Sequence, residues 1–499
     1  MNGTSDKSTP RHTLGELLEA IKPLATLNAT PSLELSSLTA DSRKAAPGAV
    51  FVAVRGTKVD GHSFIPQVVD AGASAVVCEE IPATAAPGVA WIKVADSSIA
   101  LGQLASAWHG YPSRRLTLVG VTGTNGKTTI ATLLYELARI RGHRAGLLST
   151  VVNKIDDESV EATHTTPDPL ELNSLLARMV EAGCTFAAME VSSHSAAQHR
   201  IAGLDFDGGV FTNLTRDHLD YHKTFANYLA AKKSFFDGLK PSAFALTNLD
   251  DRNGEVMLQN TAARRATYSI RSVADYRGKV GEDRFDGMLI SLNGHEIETL
   301  FSGRFNASNL TAVYGAACLL GWGDGELPVD MSRLVPVAGR FQTFRSADGV
   351  TAIVDYAHTP DALVNVLDTI NEIRRPAQRV ITVCGAGGDR DRGKRPIMAA
   401  EAAARSWRVI LTSDNPRSED PAAIIREMKA GLSDEAAART LSNVDRREAI
   451  RMAAQMAAPG DVILLAGKGH EDYQVVGTEK LHFDDREEIR EAFKLRNRQ

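Results

Sequence analysis

Cysteine is scarce in this chain. Cys78, Cys184, Cys318 and Cys384 are the only four in 499 residues, far apart and without a CxxC pair, so neither a disulfide framework nor a thiolate zinc site is indicated. A surplus of one charge sign is missing too. The 56 Lys and Arg against 61 Asp and Glu leave a net charge of −5, which argues against extended nucleic-acid binding and leaves room only for a local basic pocket. No apolar run reaches the ~18 residues that span a bilayer, and the start, MNGTSDKSTPRHT, lacks the charged-then-apolar layout of a signal peptide. Internal repeats and low-complexity tracts are absent. Hydrophobic residues at 43% and charged residues at 23% are ordinary for a globular protein, which excludes wholesale disorder. At roughly 150 residues per domain the length suggests about three domains. The expectation is a soluble, cytoplasmic, multidomain monomer.

An α/β fold in three parts is expected: an N-terminal α/β domain over 1–112, a central P-loop ATPase-like parallel sheet over 113–338 and a C-terminal Rossmann-like domain over 339–499. In the first part, short apolar runs at 50–54, 75–78 and 89–94 are broken by Pro-Gly and Asp-Gly turn signals. From 116–121 onward, strand candidates at 145–149, 186–191, 209–211 and 243–246 alternate with helical patterns, the rhythm of a parallel sheet with crossover helices. Runs at 288–292 and 296–301 flank Asn293-Gly294, a hairpin signal. Strand candidates at 352–354, 380–383, 409–411 and 462–465 each precede a polar, Gly- or Asp-rich segment. In open α/β sheets the crevice lies beyond the strand C-termini.

The run at 116–121 leads into Gly123-Thr124-Asn125-Gly126-Lys127-Thr128-Thr129 and then a helical pattern. Glycines let backbone N–H groups converge on phosphate oxygens, the helix N-terminus adds a positive dipole end, and Lys127 supplies a charge. Thr128 occupies the position of a Mg²⁺-binding hydroxyl. The spacing departs from the usual GxxxxGK, whose first glycine falls on Val121. ATP binding is expected.

This loop resembles that of the Mur ligases, ATP-dependent enzymes that build the peptide stem of the bacterial cell wall; folylpolyglutamate synthetases share a similar loop. MEVSSH, containing Glu190, and TNLTRDHLDYH, containing His218, are similar to Mur ligase motifs that bind Mg²⁺. Taken singly, His194, His218 and His222 read equally as polar loop residues. The pattern around Tyr228, Ala231 and Lys232 matches Lys232 to a lysine carbamylated by CO₂, although charge pattern alone makes Lys232 and Lys233 a solvated face. The resemblance thus implies Lys127, Glu190, His218 and Lys232 as catalytic residues, with Thr128, Glu190, His218 and carbamylated Lys232 (N6-carboxylysine) around Mg²⁺.

Further motifs follow in family order from about Leu38 to Arg486. The stretch with Asp41-Ser42-Arg43 and Thr57-Lys58-Val59 resembles a uridine-nucleotide domain, which implies Ser42, Thr57, Lys58 and Val59 at the UDP end of a substrate. Thr165, Thr166, Ser192, Gln198 and Arg200 match positions that hold a muramoyl-dipeptide. Asn306 and Asn309 match a stretch near adenine, with Asn306 equally readable as a helix cap; Arg340 and Asp355 match nucleotide-holding elements. Phe341-Gln342 and Ser195 depart from the common Met-Glu and Gly. Arg390, Asp414-Asn415-Pro416-Arg417, Gly467 and Glu471 match an amino-acid cleft. Diaminopimelate is a zwitterion at both ends. Its far end needs a guanidinium for carboxylate and amide or acidic groups for ammonium; lysine-adding relatives typically lack the arginine corresponding to Arg417. The implied activity is ATP-dependent addition of meso-2,6-diaminopimelate to UDP-N-acetylmuramoyl-L-alanyl-D-glutamate in peptidoglycan precursor synthesis, through an acyl phosphate. The alternatives are the same ligation with L-lysine, a folylpolyglutamate synthetase, or an ATP-dependent binding protein without turnover.

Overall fold

The computed structural model describes residues 12–56, 59–162, 164–215 and 219–496. Three large sheets follow one another along the chain. In the first, Ser37–Thr39, Ala49–Val52, Ala75–Cys78 and Ala90–Lys93 run parallel in that order, with Ala25–Leu27 antiparallel at the edge. The apolar runs predicted at 50–54, 75–78 and 89–94 are its central strands.

The second sheet has eleven strands. Its parallel centre runs Ala145–Leu148, Phe186–Glu190, Thr117–Thr122, Gly208–Phe211, Phe244–Asn248, Arg264–Ser269 and Tyr276–Arg284. The first five of these are buried along nearly all of their length because helices cover both faces, whereas Arg264–Ser269 and Tyr276–Arg284 carry exposed polar positions. Lys127–Ile140 and Arg304–Leu319 pack on one side through Leu134, Leu137, Leu310 and Val313, and Pro169–Glu181 and Phe225–Asp237 on the other through Leu172, Leu176 and Phe236. The expectation of a parallel sheet needs correction at one end, where Asn153–Ile155 pairs antiparallel with its neighbours Ala145–Leu148 and Glu158–Val160. At the other end the expected hairpin is present within two antiparallel pairs, Tyr276–Arg284 with Gly287–Leu292 and Gly287–Leu292 with His295–Thr299. The second pair turns at Asn293-Gly294, both with positive φ, the conformation a two-residue hairpin turn demands.

The third sheet places Thr351–Asp355, Val462–Ala466, Val380–Cys384, Arg408–Leu411 and Thr440–Ser442 side by side and parallel, with Gln342–Arg345 antiparallel at its edge. Between its strand ends and two helices lies a buried ion pair. Arg446 Nη2 and Nε sit 2.6 and 2.7 Å from the two oxygens of Asp485, both side chains fully buried. The same guanidinium donates to the carbonyls of Ala466 at 3.0 Å and Ser413 at 3.4 Å. It therefore ties down the two residues that precede Gly467 and Asp414. Replacing Arg446 by Met leaves Asp485 charged in the core, and a loss of about 3–5 kcal/mol of stability is expected by chemical denaturation; a change below about 1 kcal/mol would contradict this role.

Candidate active site

Three neighbouring strands of the second sheet end together. Val121 lies in register between Glu190 on one side and Val210 on the other, so the C-termini of these strands deliver Glu190, the Gly123–Gly126 loop and Thr212–Thr215 to one place. Gly123 and Gly126 have φ of +150° and +88°, backbone that side chains rarely adopt. A Cβ on Gly123 would meet Thr212 Oγ1 at 1.8 Å and one on Gly126 would meet Asn309 Oδ1 at 2.7 Å. The loop is held from outside: Asn213 O and Oδ1 accept from the N–H groups of Thr124 and Asn125 at 2.8 and 2.9 Å, and Thr212 Oγ1 donates to Asn125 O at 2.6 Å. Lys127 and Thr128 open the helix, with Thr129 behind them, and Lys127 Nζ donates to the carbonyls of Gly123 and Thr124 at 2.9 and 2.8 Å. Asn306 is not the cap of its helix, which begins after Gly303; its amide donates back to Ser302 O and it accepts from Asn309.

Lys232 reaches the same loop. Its helix buries Tyr228, Ala231, Lys232, Phe235 and Phe236, a helical apolar spacing that includes Lys232 and leaves out Lys233. Lys233 instead pairs with Asp237 at the surface. Lys232 is 2% exposed and its Nζ donates to Gly123 O at 2.7 Å, so it and Lys127 share one carbonyl.

Around Glu190 the structure gathers the residues matched to a dipeptide. The buried Glu190 accepts from Thr150 N at 2.7 Å, and its carbonyl accepts from Thr166 Oγ1 at 2.8 Å. Thr150 Oγ1 donates to Thr165 Oγ1, and Ser192 N donates to Thr166 Oγ1. Arg200 donates to Thr166 O at 2.9 Å and, through Nε and Nη2, to Gln198 Oε1. Gln198 in turn donates to the Tyr221 hydroxyl at 3.1 Å. Neither Thr150 nor Tyr221 is among the residues expected from sequence: nothing near Thr150 marks it, and Tyr221 lies within TNLTRDHLDYH, where the histidine carries the motif's signal.

Among the described residues no group of three His, Cys, Asp or Glu side chains forms a metal site. The Glu190 carboxylate and the Thr128 hydroxyl are hard oxygen donors on either side of the loop. They suit Mg²⁺, which takes one or two protein carboxylates and completes its shell with phosphates and water. His218, Thr57 and Lys58 lie outside the described residues. Ser42 and Val59 follow neighbouring parallel strands of the first sheet, so both lie at its C-terminal edge, Ser42 half-buried and Val59 exposed.

The third sheet presents its strand ends to this loop. Arg340 Nη2 donates to Thr128 Oγ1 at 3.2 Å while its guanidinium lies 4.6 Å from the Tyr356 ring centre. Asp355 accepts from the N–H groups of Phe341 and Ala357 at 2.7 and 2.8 Å. Burial pushes its carboxyl above the usual range, and Arg340 and these donors oppose that shift. Gly339 and Gly469 touch backbone to backbone, and a Cβ on Gly339 would lie 2.1 Å from Gly469 C. His470, next to that contact, is held down to about 3 by burial and by Arg340, and is neutral at physiological pH.

Beyond the strand ends of the third sheet, Asn415 links the two polar arms of a cleft. Its Nδ2 donates to Glu471 Oε2 at 2.8 Å, and its Oδ1 accepts from Val475 N at 2.9 Å. Arg417 has φ +52°, strained for a side-chain-bearing residue. It is pinned there because its N–H donates to Val475 O and its carbonyl accepts from Gly477 N. Its Nη1 donates to Gly388 O at 2.8 Å, and the next turn carries the exposed Arg390. Pro416 and Asp414 are buried, and a Cβ on Gly467 would lie 2.8 Å from Asp414 Oδ2. The structure thus brings Asp414, Asn415, Arg417, Gly467 and Glu471 together, with Arg390 at the rim. It adds Lys468, which the sequence reading passed over.

Residues 34–109 match the Mur ligase family catalytic domain, 121–317 the Mur ligase middle domain and 339–469 the Mur ligase glutamate ligase domain. The UDP-N-acetylmuramoyl-L-alanyl-D-glutamate–2,6-diaminopimelate ligase of Bacteroides fragilis is 57% identical over 97% of this chain and 99% of its own. The chain is a Mur ligase. The ligase of the same name from Parabacteroides distasonis is 59% identical to this Mur ligase over 93% of the chain and 95% of its own. A solved structure of a ligase of that name is 34% identical, covers 98% of this chain and all of its own, and superposes with a TM-score of 0.70. The Mur ligase therefore has the three-domain α/β architecture expected from sequence. Among the described residues no helix is long and apolar enough to cross a membrane.

Proposed function

We infer that this Mur ligase is an ADP-forming acid–amino-acid ligase that adds meso-2,6-diaminopimelate to UDP-N-acetylmuramoyl-L-alanyl-D-glutamate. Curated relatives of that name at 57% and 59% identity match nearly end to end. The geometric observation that carries the reading is Asn415, which joins a guanidinium at Arg417 to a carboxylate at Glu471 within one cleft. Such a pair answers the carboxylate and the ammonium of one amino-acid end.

A carboxylate is a poor electrophile, so the D-glutamyl carboxylate first takes the γ-phosphoryl group of ATP, releasing ADP. The amine of diaminopimelate then attacks the acyl carbon, and phosphate leaves with the oxygen it gained. Phosphoryl transfer is catalysed chiefly by positioning and charge stabilisation. In this reading the Gly123-Thr124-Asn125-Gly126 loop, shaped by the N–H groups of Thr124 and Asn125 donating to Asn213, wraps the phosphates at the helix N-terminus, and Lys127 turns from its loop carbonyls onto them. Thr129, Asn306, Asn309, Arg340 and Asp355 complete the nucleotide site. Thr128, Glu190, His218 and a carbamate on Lys232 hold Mg²⁺, which when bound screens the phosphate charge. The carbamate is supported by Lys127 and Lys232 donating to one carbonyl: two ammonium groups there repel, whereas an anion on Lys232 attracts its neighbour.

Ser42, Thr57, Lys58 and Val59 take the uridine nucleotide, and Thr165, Thr166, Ser192, Gln198 and Arg200 take the dipeptide. Arg390, Asp414, Asn415, Pro416, Arg417, Gly467 and Glu471 take diaminopimelate. Domain boundaries near residues 112 and 338 separate the three sheets. The test is phosphate release by the purified enzyme with ATP, Mg²⁺ and the UDP-muramoyl-dipeptide. Addition of diaminopimelate is expected to start turnover and L-lysine is not; equal rates with both, or none with either, would overturn the reading.

A further inference from the structure

The diaminopimelate cleft contains a cation to which the proposed reaction assigns no task. Lys468 is fully buried, with Nζ 3.3 Å from Glu471 Oε2, 3.4 Å from Asn415 Oδ1 and 3.8 Å from Asp414 Oδ1. These groups come from two strand ends, after Arg408–Leu411 and after Val462–Ala466, with Val380–Cys384 between them in the sheet. A lysine is almost never fully buried unless paired. Here one ammonium faces two carboxylates, and the Arg446 guanidinium that also acts on Asp414 is neutralised by Asp485, so the cluster carries one negative charge in excess. Asp414 Oδ1 is buried and accepts no hydrogen bond, although a buried carboxylate oxygen normally finds a donor.

We propose that Lys468 is the positioning residue of the amino-acid pocket: it holds Glu471 and Asn415 in place and leaves the pocket one positive charge short, which the ammonium of a diaminopimelate end supplies. This rests on the proposed function and explains how its cleft prefers an ammonium to a neutral group.

The electrostatics run the same way. Burial raises the Glu471 carboxyl, Asp414 raises it further, and Lys468 and the Asn415 amide oppose the rise. Tyr356, from the end of its strand, and Tyr473, beside Arg417, also face Glu471. Glu471 binds an ammonium well only when ionised. The KM for diaminopimelate is therefore expected to fall as pH rises through the raised Glu471 value and then to level off. Removing Lys468 raises that carboxyl further and moves the falling limb to higher pH.

The test is steady-state phosphate release with diaminopimelate varied and the other substrates saturating. Lys468→Met is expected to raise the KM for diaminopimelate about ten- to a hundredfold while kcat and the KM for ATP change less than about threefold, the signature of lost uniform binding. The double variant Asp414→Asn/Lys468→Met restores the single excess charge and is expected to lower that KM again. A KM in Lys468→Met within about twofold of the parent, or a further rise in the double variant, would overturn the proposal. Should Lys468→Met fail to fold, the parent's pH profile decides: a KM that does not change on the acid side also overturns it. A parent enzyme that releases no phosphate on adding diaminopimelate fails at the preceding step and overturns the proposed function instead.

Discussion

Lys127→Ala is expected to lower phosphate release by about a thousandfold or more, with the fold intact. The side chain is half-buried, and its Nζ donates to the carbonyls of Gly123 and Thr124. The loop itself is held by Asn213 and Thr212, so little of its shape depends on the lysine. What is lost is the one cation that the loop can swing onto a phosphate while the charge of the transferring group redistributes. Thermal unfolding within a few degrees of the parent should accompany the loss. Turnover reduced less than tenfold would show that the backbone cradle suffices and that the assignment of Lys127 is wrong.

The second large effect concerns Lys232. Lys232→Ala and Lys232→Arg are both expected to lose about a hundredfold or more in kcat. The arginine variant is the informative one. It keeps a cation beside Gly123, so a lysine acting through its ammonium would tolerate it in part, whereas a group that must become a carbamate cannot be replaced by a permanent cation. Intact mass of the parent under native conditions in bicarbonate should show the addition of one CO₂, absent from both variants. An unmodified parent with full activity, or an active Lys232→Arg, would contradict the carbamate.

Much of this was legible from residue order. The phosphate loop, the strand ends and the Asn-Gly hairpin are local signals, and each is found within a residue or two of where the sequence puts it. The antiparallel pair Asn153–Ile155 with Glu158–Val160 is less visible, because a largely exposed strand such as Glu158–Val160 lacks the apolar pattern that marks a covered one. Lys232 shows what local pattern can and cannot say. Its spacing from Tyr228 and Phe236 places it on the buried face, yet only the folded helix shows that this face looks onto Gly123. Lys468 and Arg446 carry no local signal at all. A charged residue in a Gly-rich loop or at a helix start reads as solvated, and both are buried only because strand ends far apart in sequence close around them.

In the proposed reaction the Arg417 guanidinium selects a nucleophile with a second carboxylate. The most direct measurement is competition: equal diaminopimelate and L-lysine offered to the parent and to Arg417→Ala, with the ligated products weighed by mass spectrometry. The parent is expected to give almost only the diaminopimelate product and Arg417→Ala to lose that preference by about a hundredfold. A variant that still discriminates as strongly as the parent would contradict it.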